Sequence, residues 1–176
     1  GYKVNKQLKN FKGYSVEAMK VILNFEEIEK IGNTIYLDEK LEITSDWLII
    51  GCYTGQRVSD LLRMNRSMIK RIRGHEFIVL IQQKTKKLIH IPIHKKVREI
   101  LDKRDGSFPP DFTKNIESSK ALFNRYLKQV ARIAGIDKEE KGLKFDSDSK
   151  RKILGIFPKY ELIASHICRR SFATNF

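Results

Sequence analysis

The sequence predicts a mainly α chain with one small antiparallel β-hairpin or sheet, an α+β domain. Three observations predict it. Most segments read as helices, with apolar residues at helical spacing between capping residues and glycine stops. One stretch, "HEFIVLIQQKTKKLIHIPI", instead carries two β-rich runs about a polar turn. The length, 176 residues, suits one domain with a core, or one domain plus an arm.

Residues 1–20 are basic and weakly patterned and read as a linker. A first helix is expected from Asn24, which can cap it, with Glu27 at the reciprocal capping-box position. Its apolar stripe is Phe25, Ile28 and Ile31, and Gly32-Asn33 ends it. Residues 42–53 read as a mostly buried helix that breaks at "TGQR", where Gly55 allows a tight turn. A short helix then carries "VSDLLRM". Phe77 to Ile81 and Leu88 to Ile93 form the hairpin, residues 95–104 a short helix, and "GSFPPD" a loop. The strongest helical pattern is "SSKALFNRYLKQVARIAGI", with Leu122, Tyr126, Val130 and Ile133 on one face and Gly135 as the stop. Residues 137–152 are charged and read as an exposed loop or loose hairpin, and a last helix starts near Ser165.

Charge narrows the function. The chain carries +14, and residues 57–104 hold +10 of it, with 14 Lys/Arg against 4 acids. Residues 26–46 run the other way, with seven acids and two lysines. A concentrated basic region favours a polyanion partner, because phosphate contacts release condensed counterions. No apolar run approaches the roughly 18 residues of a membrane span, so no membrane partner is expected. Cys52 and Cys168 sit far apart in apolar surroundings and read as reduced, buried thiols. The histidines show no zinc spacing, and Pro92 between His90 and His94 argues against one helix carrying both, so no metal or other cofactor is expected.

Three local patterns could meet a phosphate. In "SHICRRSFATNF", Ser165 is a candidate N-cap, and His166 and Arg169 share a face at i and i+3 in the first helical turn. In "YTGQRVSDLLRM", Arg57 follows a glycine turn at the mouth of a helix, and Asp60, three residues on, could hold a guanidinium in place. Lys84 sits on the hairpin turn in "QQKTKK". Taken singly, each is also an ordinary surface arrangement.

Together and in this order, "TGQRVSDLLRM", a lysine-bearing hairpin ending in "IPI", and "SHICRRSFATN" resemble the tyrosine recombinases, or phage integrases, most of all those of bacterial mobile elements. The resemblance runs from about residue 24 to the last residue and implies that family's catalytic-domain fold, incomplete at its carboxyl end, over residues 21–176, with 1–20 a linker from an amino-terminal core-binding domain. It implies Arg57 and Arg169 as catalytic arginines, His166 as the histidine between them, Lys84 as the hairpin lysine (with Lys86 and Lys87 close by), and Asp60 as the acid supporting the first arginine. In that chemistry a tyrosine hydroxyl attacks a DNA phosphodiester, leaving a 3′-phosphotyrosyl link. The arginines meet charge growing on the non-bridging oxygens. The lysine can protonate the leaving 5′-oxygen, and no metal is required. The implied partner is a double-stranded DNA recombination site, bound by a tetramer in the full-length protein. The implied setting is the bacterial cytoplasm, at the nucleoid.

One family element is missing. The nucleophile belongs downstream of the HxxR motif, whereas Tyr2, Tyr14, Tyr36, Tyr53, Tyr126 and Tyr160 all precede His166. No nucleophile is therefore assigned in this chain, which is expected to be a truncated form, inactive alone, with Phe172 and Phe176 left without cover. Further phosphate contacts are expected from Arg63, Arg66, Lys70, Arg71 and Arg73, in a stretch without acids, and from Arg125, Arg132 and Arg170. Three other readings compete. A type IB topoisomerase shares the residue set but not these strings. A non-catalytic DNA-binding relative would not require all four site residues. An RNA-binding module would want aromatics interleaved with the basic residues of its strands, where the hairpin offers Phe77 alone.

Overall fold

The computed structural model describes residues 21–146 and 148–176. The expected linker at 1–20 lies outside the described residues. Helix α1 (Phe25–Asn33) opens with the expected capping box: Asn24 Oδ1 accepts from Glu27 N at 2.8 Å, and Glu27 Oε2 from Asn24 N at 2.9 Å. Ile28 and Ile31 face the core, while Phe25 stays exposed.

Helix α2 (Glu39–Thr54) is the axis of the fold. Its buried residues number 12 of 16, so it has no solvent face and lies sheathed by other elements. Trp47 anchors it, stacked on Phe108 at 5.9 Å and donating Nε1–H to Pro110 O at 3.3 Å. The "GSFPPD" loop is thus part of the core wall. After the short α3 (Val58–Leu61) and a 3-10 turn at Arg66–Met68 come three strands, β1 (Ile69–Ile72), β2 (His75–Ile81) and β3 (Leu88–Pro92). They form an antiparallel sheet in that order, with Ile78 opposite both Ile69 and Ile91. Ile78, Leu80 and Ile91 turn inward. The β2–β3 hairpin is the expected one. Strand β1 adds to it, closed by a two-residue turn in which Arg73 and Gly74 have φ of 51° and 82°. Both residues at positive φ mark a type I′ turn, for which Arg-Gly is a weak signal beside Asn-Gly or Asp-Gly.

Helix α4 (Lys95–Lys103) packs on α2, and α5 (Ile116–Ile133) crosses α2 on another side. The buried face of α5 is Phe123, Leu127, Val130 and Ala131; of the expected line through Leu122, Tyr126, Val130 and Ile133, only Val130 is fully buried. Both sets have helical spacing. The true face is one residue further round, with Ala131 fully buried and Ile133 exposed. Within 137–152, residues 139–146 and 151–152 are not irregular. They belong to a two-stranded ribbon, β4 (Glu139–Asp146) and β5 (Arg151–Pro158), with every residue of β4 paired. The hairpin alternative was the right one, and it runs six residues past the expected end. A one-turn α6 (Lys159–Leu162) follows, and α7 (His166–Asn175) closes the described chain. Among the described residues no helix is long and apolar enough to cross a membrane.

Cys52 of α2 and Cys168 of α7 are free and buried together. A hydrogen bond with the Cys168 thiol, followed by burial, pushes the Cys52 thiol well above its ordinary value. Both thiols are buried, so neither cysteine should react with a disulfide reagent until the protein unfolds. Ellman titration should count two thiols only in denaturant. Fast reaction of either in the native protein would contradict this packing.

Candidate active site at the α2–α3 turn

The site begins where α2 stops. Gly55 caps the helix at φ 64°, in the left-handed region, and its N–H bonds to Gly51 O at 2.9 Å. A Cβ here would lie 2.5 Å from Cδ1 of Phe172, so α7 packs directly on the turn. Gly55→Ala should therefore lower the unfolding free energy in urea by about 2 kcal/mol, combining left-handed strain with overpacking. A loss below about 0.5 kcal/mol would mean α7 is not seated there.

Arg57 lies just past this turn, half-buried, at the mouth of α3. Among the described residues its guanidinium has no hydrogen-bond or ion-pair partner. Arg169 comes from α7, and its Nη1 donates to Gly55 O at 2.9 Å. Two arginines 112 positions apart are thereby brought to one turn. His166 is exposed on the first turn of α7. Ser165 does not cap this helix as expected. Its own backbone is helical (φ −54°, ψ −23°), which directs Oγ away from the free N–H groups. Ser165 N instead donates to Asn124 Oδ1 of α5 at 2.8 Å.

The β2–β3 turn, Gln82 to Lys87, reaches the same place. Gln82 Nε2 donates to Gln56 Oε1 at 2.9 Å, and Gln83 N donates to Asp60 Oδ1 at 2.9 Å. Lys84 follows directly, exposed, as are Lys86 and Lys87. Lys86 takes a left-handed φ of 56° that closes the turn, its N–H bonding to Gln82 O.

Asp60 is fully buried, and its guanidinium partner is Arg63, not Arg57. Arg63 Nε and Nη2 reach Asp60 Oδ1 at 3.2 and 3.0 Å, and Nη2 also bonds to Ile81 O. Arg63, expected to track phosphates, is instead engaged in tying α3 to the hairpin. An i, i+3 spacing fits either partner, and only the sheet's arrival over α3 decides between them. Asp60 Oδ2, also buried, has no hydrogen-bond partner among the described residues.

Of the remaining basic candidates, Lys70, Arg71 and Arg73 lie exposed on β1 and its turn, and Arg66 reaches Asp105 O at 3.4 Å. Arg125 and Arg132 are exposed on α5, each about 6.0 Å or less from a tyrosine ring. Arg170 is half-buried on α7. Sequence reasoning missed Gln56, Gln82 and a bracket on α7 among the residues that assemble the site, and it gave Arg63 another role. In that bracket Ser171 Oγ accepts from Leu23 N at 2.8 Å and Asn175 Nδ2 donates to Leu23 O at 2.9 Å. The i, i+4 spacing of Ser171 and Asn175 was the available signal. Phe176 is exposed but not alone, lying 5.2 to 6.1 Å from the rings of Phe25, Tyr53, His94 and Phe172. Among the described residues, no group of three His, Cys, Asp or Glu side chains could hold a metal ion.

No protein-family model matches the sequence, and no curated protein matches it. Among solved structures the chain is similar to the XerH site-specific recombinase bound to its difH substrate in a pre-cleavage complex. The TM-score is 0.51 at 19% identity, covering 94% of this chain and 47% of the recombinase chain. A post-cleavage XerH complex on palindromic difH substrate gives a TM-score of 0.49 at 20% identity, covering 88% of this chain and 41% of that one. The chain spans about half the length of the recombinase it matches. Mixed helices and small antiparallel sheets in this arrangement are the tyrosine recombinase catalytic-domain fold, and that is the fold of this chain.

Proposed function

We propose that this chain is the phosphate-activating part of a site-specific DNA recombinase of the mobile-element integrase type, acting on a double-stranded recombination site. The observation that carries the reading is the hydrogen bond from Arg169 to Gly55 O, which draws the second arginine to the turn bearing the first. The neighbour of the same fold is a site-specific recombinase bound to its substrate, which agrees.

In the proposed reaction, Arg57 and Arg169 clamp the two non-bridging oxygens as the phosphorus becomes pentacoordinate. A bond forms between a tyrosine oxygen and phosphorus while the bond to the 5′-oxygen breaks. Lys84 gives its proton to that leaving oxygen, and His166 takes or shares the tyrosine proton. The phosphotyrosyl ester keeps the phosphodiester energy for a second 5′-hydroxyl, which rejoins a new strand. Asp60 and Arg63 hold the lysine's hairpin over α3. Lys70, Arg71, Arg73, Arg66, Lys86, Lys87, Arg125, Arg132 and Arg170 are proposed to meet flanking phosphates, in a tetramer on DNA.

The attacking tyrosine is proposed to be none of those described. Tyr36 bonds to Ile31 O at 3.1 Å, Tyr53 stacks on His94 at 4.4 Å, Tyr126 stacks on Phe112 at 6.0 Å, and Tyr160 lies under Arg132. Tyr2 and Tyr14 lie outside the described residues. The 176-residue chain should bind DNA with a steep salt dependence yet form no covalent adduct on a nicked suicide duplex. The longest product of its reading frame should form one and exchange strands. An adduct on the short chain would sink the assignment of the nucleophile. Supercoil relaxation without strand exchange by the long product would favour a topoisomerase.

A further inference from the structure

The β4–β5 ribbon has two unlike faces. The inner face is covered: Gly142 lies under Leu162, Lys144 pairs with Glu161, and Glu140 pairs with the buried Lys159, which also holds Glu27. The outer face carries Leu143 opposite Leu154, Ile156 opposite Lys141, and Phe145 opposite Lys152. Its four large apolar side chains are 46 to 66% exposed, side by side on a paired sheet. Lys141 and Lys152 flank them, and neither has an ion-pair partner among the described residues. An apolar face with cationic edges fits a partner offering apolar side chains beside carboxylates.

The chain itself presents such a surface. Between α1 and α2, Ile35 and Leu37 are 85% and 101% exposed. They flank Tyr36, which turns inward to bond Ile31 O, so two exposed apolar side chains stand on a pinned segment. Thr34 Oγ1 on Lys30 O and Asp38 capping Lys40 N fix its two ends. Asp38 and Glu39 follow at once, both exposed, in the acidic stretch of an otherwise strongly basic chain. Exposed acids repel DNA phosphates, so this edge suits a protein contact. Because it is already ordered, docking it costs little further entropy.

We propose that the outer face of the β4–β5 ribbon docks the α1–α2 loop of a second copy of this chain, with Ile35 and Leu37 on the apolar face and Asp38 and Glu39 against Lys141 and Lys152. The two surfaces differ, so the contact is heterologous. Repeated, it closes a ring or continues as a filament. It does not depend on the catalytic reading above.

The test uses two differently tagged copies of the chain, one carrying Leu37→Cys and the other Leu154→Cys, with and without a DNA duplex. Both positions are exposed, so folding is not at risk, and native Cys52 and Cys168 are buried. Mild oxidation should join the two tags, well above a control with Lys128→Cys in place of Leu154→Cys. In sedimentation, Leu37→Asp should weaken self-association about tenfold or more. Lys152→Glu should weaken it too, and Glu39→Lys in the same chain should partly restore it. A monomer under both conditions, or crosslinking no better than the control, overturns the proposal. So does a Lys141→Glu/Lys152→Glu variant that loses DNA affinity while self-association is unchanged, since the ribbon would then be a DNA contact.

Discussion

Arg169→Ala is expected to slow covalent adduct formation on a suicide duplex by about 10²–10³-fold, when measured in the longest product of the reading frame. A guanidinium aimed at developing phosphate charge acts only in the transition state. Its removal should therefore lower the cleavage rate far more than DNA affinity. Arg169 has a second tie, to Gly55 O, whose loss should cost about 1 kcal/mol in urea unfolding. Stability and rate must be measured together to separate the two effects. Arg169→Lys keeps the charge but not the planar fork, so it should recover binding and only part of the rate. A rate loss under tenfold would remove Arg169 from the proposed clamp. Arg57→Ala should match it in rate and barely change stability, since the Arg57 guanidinium has no polar partner among the described residues.

The second large effect is on folding. Asp60→Ala should lower the unfolding free energy by about 3 kcal/mol. Asp60 is wholly buried, while the Arg63 side chain is 27% exposed, so the loss belongs at the low end of buried ion pairs. Removing the carboxylate strands the Arg63 guanidinium and the Gln83 N–H together. Asp60→Asn should cost less, because its remaining oxygen can still accept. The double variant Asp60→Ala/Arg63→Ala should be less unstable than the sum of the singles, since the stranded cation is gone. Amide exchange across 82–87 should quicken in both alanine singles, reporting release of the hairpin. A loss under 1 kcal/mol would mean that the hairpin holds its place without this pair.

What the sequence disclosed depended on whether the signal was local. Caps and stops are local, so Asn24, Glu27 and Gly55 were legible as such. The β2–β3 hairpin was legible because its two runs flank one polar turn. The buried face of α5 was not, because Leu122 and Phe123 begin equally good helical stripes and only the approach of α2 chooses. Strand β1 was hidden by its Arg-Gly turn. At the site, the proposed catalytic residues Arg57, Lys84, His166 and Arg169 stood out through motifs. Their supports did not. Gln56 and Gln82 meet across 26 positions and Ser171 and Leu23 across 148, separations no local pattern encodes. Asp60 shows the intermediate case, where the sequence pointed to Arg57 and tertiary structure paired the carboxylate with Arg63 instead.

The sheathing of α2 has a consequence for synthesis. A ribosome that has released everything through α6 has made a chain whose central helix still lacks α7, one of its main neighbours. Cys52 and Gly55 then face water, and the second arginine does not yet exist. Local helices and hairpins can form early, but contacts separated by more than a hundred residues come last. A nascent chain should therefore lack the proposed two-arginine grip until α7 has emerged and docked. Under the proposed function, that delay keeps a half-made polypeptide from clamping DNA before its fold can hold on.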